Sequence, residues 1–180
     1  MAIKTITIKS KYHLGELGAD NLVEVRTYNL TGNEPQDRRI RGSIISDSNK
    51  LNFGTVQVGN WTDAVVICLI PLADSVTIIN VSFWLQSDGD LDDAKNNQFA
   101  VEQSTVWRKN RSGLDVWNNG QECPKTEINA IEIEPFVIGE FNTTNEGTSK
   151  FIYLAIKPDA NETGRMISNI NYRFSFEYIL

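Results

Sequence analysis

Ile170-Asn171-Tyr172-Arg173-Phe174-Ser175-Phe176-Glu177-Tyr178-Ile179-Leu180 is the stretch whose reading decides the fold. Ile170, Tyr172, Phe174, Phe176, Tyr178 and Leu180 recur at every second position, with Asn171, Arg173, Ser175 and Glu177 between them. A period of two belongs to a strand with one buried face, and aromatic side chains pack well on a pleated surface. The stretch therefore predicts a long, half-buried strand with an aromatic inner face, paired through its last residues.

The same period recurs upstream. Phe151-Ile152-Tyr153-Leu154-Ala155-Ile156-Lys157 reads as a strand closed by Pro158, and the turn-forming Asp159-Ala160-Asn161-Glu162-Thr163-Gly164 predicts a hairpin to the last strand. Residues 128–137, with Ile131, Ile133 and Pro135 alternating against Glu132, Glu134 and Phe136, predict a further strand; the polar 142–148 predicts a surface loop and a second hairpin. In 77–86, Ile79, Val81, Phe83 and Leu85 share one face, opposite Ile78, Asn80, Ser82 and Trp84. In 99–108, the inward face takes Phe99, Val101, Thr105 and Trp107. Residues 1–9, 21–30 and 51–58 are three more candidates.

Residues 64–70, Ala-Val-Val-Ile-Cys-Leu-Ile, are apolar on both faces, as a strand covered on both sides is. A two-layer protein covers only one face, so the other asks for a loop, a small helix or a neighbouring subunit. The best helical stretch, 90–96, is short. The expectation is an all-β chain of about nine or ten strands, forming a two-sheet antiparallel sandwich of the jelly-roll kind as a single domain over 1–180.

Composition narrows the function. A chain of 180 residues with 41% hydrophobic and 22% charged residues has the make-up of a globular domain. Its net charge of −6 repels a phosphate backbone, so nucleic acid is not an expected partner. Cys68 lies in an apolar run and Cys123 in a polar one; two thiols and one histidine make neither a disulfide framework nor a zinc cluster, and free thiols are expected. The alternating N-terminus reads as a strand and not as an export signal, and no apolar run is long enough to span a membrane. These features place the chain in the cytoplasm in which it is made, without a membrane partner.

Triad chemistry needs an imidazole, and His13 stands beside no nucleophile motif. Neither a P-loop nor a G-x-G-x-x-G between strand and helix occurs. Glu132 and Glu134 fall on one outward strand face, where alternation explains them without catalysis. No catalytic residue and no cofactor is therefore expected. Asp88, Asp90 and Asp92 alternate as calcium ligands do, but Asp93 stands where such a loop needs glycine and Phe99 where it needs a bidentate glutamate. An acidic turn is the plainer reading of them. Trp84 and Trp117 fall where indole faces would be open to a sugar or a partner, whereas Trp107 falls inside. Arg38, Arg39 and Arg41 form the one concentrated basic cluster, able to grip an acidic neighbour subunit. Six N-x-S/T triplets begin at Asn29, Asn60, Asn80, Asn110, Asn142 and Asn161, and an asparagine-rich chain yields such triplets by chance.

Ser75-Val76-Thr77-Ile78-Ile79-Asn80-Val81-Ser82-Phe83-Trp84, then Phe151-Ile152-Tyr153-Leu154-Ala155-Ile156-Lys157-Pro158, with Gly164 ahead of Ile170-Asn171-Tyr172-Arg173-Phe174-Ser175-Phe176, resemble small β-sandwich proteins of tailed bacteriophages and phage-like particles. The resemblance covers the second half of the chain loosely and carries over no individual functional residue. It implies a non-catalytic structural component of a virion, in a neck, tail, baseplate or capsid-decoration position, assembled in the host cytoplasm. The partners it implies are other copies of the chain and neighbouring particle proteins. A carbohydrate- or receptor-binding module using exposed tryptophans, with a glycan as ligand, is the alternative.

Overall fold

The structure, a computed structural model, describes residues 2–9, 23–45, 50–71, 77–87, 96–133, 147–161 and 170–179. Ten strands run through them: β1 (Ala2–Lys9), β2 (Val23–Tyr28), β3 (Ser43–Ile44), β4 (Val65–Pro71), β5 (Thr77–Ser87), β6 (Gln98–Ser104), β7 (Gln121–Glu122), β8 (Ile131–Ile133), β9 (Phe151–Lys157) and β10 (Ile170–Ile179). The helix α1 (Gly113–Asn119) and a 3-10 turn at Glu127–Asn129 interrupt them. The strands form two antiparallel sheets, ordered β1-β10-β5-β8 and β3-β2-β4-β9-β6-β7.

The alternation read in the last strand is present in β10. Tyr172, Phe174 and Phe176 are buried, while Arg173 and Ser175 between them are half-exposed. Phe174 stands opposite both Ile6 of β1 and Phe83 of β5, and Tyr172 opposite Ile8 and Leu85. One core cluster draws on both sheets: Val81, Phe83, Leu85, Tyr172, Phe174 and Phe176 from one, and Val25, Ile67, Leu69, Phe99, Val101, Ile152 and Leu154 from the other. Burying these six side chains of one sheet against these seven of the other, at ~1.5–3 kcal/mol apiece, is the main source of stability.

Among the described residues neither expected hairpin forms. β9 pairs with β4 and β6, while β10 lies in the other sheet between β1 and β5. The chain from Pro158 onward thus crosses between sheets, and β8 likewise pairs with β5 and not with β9. Turn residues serve a sheet-to-sheet connection as well as a hairpin, so the sequence pattern does not separate the two. Residues 51–58 form no strand, although Leu51 is buried and Phe53 packs on the core. β6 stops at Ser104, which leaves Thr105 exposed and Trp107 beyond the strand. The unbroken alternation expected from Ile79 to Leu85 is also interrupted. Asn80, with φ of 51°, sits where the register with β10 slips between Ser175 and Glu177, so Asn80 and Val81 together face Phe176. The stretch 90–95, most of the helix expected over 90–96, lies outside the described residues.

Candidate functional site

The outward face of the six-stranded sheet gathers most of the residues singled out by the sequence. β4 is apolar on both sides as its composition requires: Ile67 and Leu69 join the core between the sheets, while Ala64, Val66, Cys68 and Ile70 join a second cluster with Tyr28, Leu30, Ala100, Val116, Phe151, Tyr153 and Ala155. The chain itself supplies the cover. α1 packs on β6 and β9, and the segments 29–42 and 105–112 extend the lid.

Arg38 anchors one end of that lid. Its side chain is 8% exposed, with the guanidinium carbon 3.6 Å from the centre of the Phe151 ring. It donates to the Ser149 carbonyl at 3.3 Å and pairs with Glu34 at 3.2 Å, and its own carbonyl accepts the Tyr28 hydroxyl at 2.7 Å. A buried cation on an aromatic face contributes roughly 2 kcal/mol. Arg39 pairs with Asp37 at 3.4 Å and is largely buried, and only Arg41 of the three stands in solvent. The cluster expected to grip an acidic neighbour is thus mostly turned inward. The local sequence explains it: Asp37 caps its own turn by accepting from the Arg39 amide at 2.9 Å, which swings Arg38 toward the sheet.

α1 closes the other end. Ser112 and Asp115 form a reciprocal capping box, Ser112 accepting from the Asp115 amide at 3.2 Å and Asp115 accepting from the Ser112 amide at 3.3 Å. The Ser112 hydroxyl bond holds the Asp115 carboxyl below its usual range. Trp117 is half-buried and stacks on Trp61, with ring centres 5.3 Å apart and planes 29° apart. Trp107 lies edge-on to Phe151 at 5.2 Å and donates its indole N–H to the Gly32 carbonyl at 3.2 Å. Trp84, expected at the surface, is 3% exposed.

Between the two ends lies a polar knot that no motif announced. Glu102, 4% exposed, bonds Arg111 closely and pairs with Arg108 at 3.0 Å. The Tyr153 hydroxyl accepts from the Arg108 amide at 2.9 Å and donates to the Val106 carbonyl at 3.2 Å. Arg111 and Arg108 each engage one oxygen of the carboxylate, so the pair ties β6 to the segment that follows it. The one available signal was Glu102 at an apolar-neighboured strand position, with two arginines a few residues downstream.

Burial pushes the Cys68 thiol up to about 12 against the pull of Arg38, and burial raises the Tyr28 and Cys123 groups too. Both cysteines are free, Cys68 in the outer cluster and Cys123 in the core between the sheets. A groove of about 440 Å³ opens beside β2 and β4, and among the described residues Asp63 is the one carboxylate that lines it. Glu132 is exposed on β8 opposite Ser82. Glu134 and the candidate calcium ligands Asp88, Asp90 and Asp92 lie outside the described residues. Among the described residues no three metal-binding side chains converge, and no helix is long and apolar enough to cross a membrane. Of the N-x-S/T asparagines, Asn29, Asn60, Asn80, Asn110 and Asn161 are exposed, and Asn142 lies outside the described residues. Compared with protein-family models, with curated proteins and with solved structures, the chain matches none.

Proposed function

We propose that the chain is a non-catalytic building block of a phage or phage-like particle, in a neck, tail, baseplate or capsid-decoration position, built as a jelly-roll sandwich. One observation carries this reading: the nesting of the strand pairs. With β2 and β3 set aside as an addition to one margin, eight strands remain, and they pair first with last (β1 with β10), second with seventh (β4 with β9), third with sixth (β5 with β8) and fourth with fifth (β6 with β7). A long hairpin rolled upon itself has this order. Rolling adds the contacts of β10 with β5 and of β9 with β6, which complete each sheet. Rolls of this kind recur in viral capsid and lectin domains. Fold by itself does not fix function, so the reading also leans on the resemblance of the second half of the chain to particle proteins.

The apolar outer side of β4 no longer argues for a partner subunit, because α1 and the loops cover it. The building-block reading is tested by fractionating particles from the source on a density gradient and measuring the chain's peptides by mass spectrometry. Peptides at a fixed ratio to the major shell protein support it, and confinement to the soluble fractions overturns it.

The half-exposed Trp61–Trp117 stack favours a second reading, a glycan-binding roll. Glycan-array binding that disappears in Trp117→Ala would promote it over the first. An array without a hit removes it.

A further inference from the structure

The groove beside β2 and β4 is walled by the segments 27–31, 50–52, 63–65 and 110–111. Backbone contacts tie three of these walls together. The Asn110 amide donates to the Leu30 carbonyl at 2.8 Å, the Ala64 amide donates to the Arg111 carbonyl at 3.3 Å, and Asp63 bridges to Ser112. A second hollow, of about 660 Å³, shares Thr27, Tyr28 and Asn29 with the groove and continues past Asn33, Gln36 and Arg41. Together they form a preformed trough suited to a chain-like ligand.

The polar groups of the groove are set in complementary roles. The Asn29 side-chain oxygen accepts from the Thr31 amide at 2.9 Å and from its hydroxyl at 2.7 Å, and the Asn52 oxygen accepts from the Gly54 amide at 2.9 Å. A backbone N–H can only donate, so these bonds fix which way each amide faces and leave both Nδ2 groups as donors without a partner among the described residues. Asp63 is exposed and, among the described residues, its carboxylate makes no hydrogen bond or ion pair. Arg111 lines the groove with a side chain 10% exposed; its Nη2 serves Glu102 and the Asp115 carbonyl, while its Nε–H is buried with no partner among the described residues. That wall holds a donor still in want of an oxygen. Leu30, Leu51 and Ala64 supply an apolar lining between these groups.

We propose that this groove binds an uncharged oligosaccharide, Asp63 accepting from neighbouring hydroxyls while the Asn29 and Asn52 amides donate to others. A sugar hydroxyl donates and accepts at once, and the ring C–H groups suit the apolar lining. The charges select no ion, since Lys50 offsets Asp63 and Arg111 is held by Glu102. A nucleobase wants an open ring to stack on, and the aromatic residue of the groove, Tyr28, is buried with its hydroxyl bound to the Arg38 carbonyl. A peptide strand wants a sheet edge, and β2 lies between β3 and β4.

This goes beyond the building-block reading, which names no ligand, and it seats the sugar away from the Trp61–Trp117 stack, so the readings can be told apart. The full chain is applied to an array of neutral and acidic oligosaccharides, and the best hit is titrated by calorimetry. Binding to neutral chains of two or more sugars is expected, with the Kd raised roughly tenfold in Asp63→Asn. Asn29→Asp keeps the oxygen that Thr31 bonds and turns the donor into an acceptor, and is expected to weaken binding as much. Glu132→Gln, on the other sheet, is expected to bind as the native chain does. Circular dichroism checks folding, and Asn52→Asp replaces either groove variant that fails to fold. An array without a neutral hit, or a Kd unchanged in folded Asp63→Asn and Asn29→Asp, overturns the proposal. Binding lost in Trp117→Ala but kept in both groove variants overturns it too, and leaves the sugar to the tryptophan stack. The building-block reading survives each of these outcomes, because particle fractionation decides it.

Discussion

Tyr172 stacks on Phe83 with ring centres 5.4 Å apart and planes 9° apart, and its hydroxyl is buried without a hydrogen-bond partner among the described residues. An unmet buried hydroxyl costs about 1–3 kcal/mol, so Tyr172→Phe is expected to raise the unfolding free energy by about 1 kcal/mol in urea. A loss of stability would mean that the hydroxyl has a partner. Cys68 gives a pH test. Its value rises on folding from the ordinary 9.0 to about 12, so its contribution is complete below pH 9 and drains away as pH climbs from there toward 12. Tyr28, Tyr153 and Tyr172 are shifted in the same upward direction by burial and steepen that alkaline limb. The urea midpoint is expected to fall above pH 9, and to fall less steeply in Cys68→Ala; equal slopes would contradict the assignment. At this scale the sequence was legible where alternation is strict, as at Tyr172, and where an apolar run is unbroken, as at Cys68. It misled at Trp84, which the period put on an exposed face and which is buried, and at Arg38, where a basic cluster read as surface charge is folded onto Phe151. Glu102 was invisible because its pairing partners are set by how 105–112 fold back.

α1 shows what a short element needs in order to seat. A Cβ at Gly113 would come within 2.4 Å of the Thr62 carbonyl oxygen, and one at Gly120 within 2.1 Å of the Val101 carbonyl oxygen. Both neighbours are backbone and cannot step aside cheaply. Gly113→Ala and Gly120→Ala are each expected to cost roughly 2–3 kcal/mol and to separate Trp117 from Trp61, read as a change in tryptophan fluorescence. Normal stability with unchanged emission would show that α1 does not sit as described. Ser112→Ala removes the cap and is expected to cost about 1 kcal/mol in chemical denaturation. The stretch reads in sequence as a glycine- and asparagine-rich loop, yet Ser112 followed by Asp115 is a capping pattern that foretells the helix start. The glycines at its two ends are there for close approach to the sheet, which local periodicity does not encode.

For the molecule as a whole, strand positions were far more legible than strand partners. β1, β4, β5, β9 and β10 fall close to where their apolar pattern puts them. The pairings of β9 with β10 and of β8 with β9 were misread as hairpins because the actual partners lie far off in the chain, as β4 does from β9, and a periodic pattern carries no record of its partner. The short β3 and β7 left no periodic trace at all. Since β10 lies between β1 and β5, removing Ile170–Ile179 takes away both neighbours' partner at once; the truncated chain is expected to lose its cooperative thermal transition entirely. The nested pairing itself is most directly measured by interstrand Hα–Hα nuclear Overhauser effects in the purified chain. The account predicts cross-peaks joining β1 to β10, β4 to β9, β5 to β8 and β6 to β7, with none joining β9 to β10. Cross-peaks between β9 and β10, as neighbours in one sheet, would contradict it.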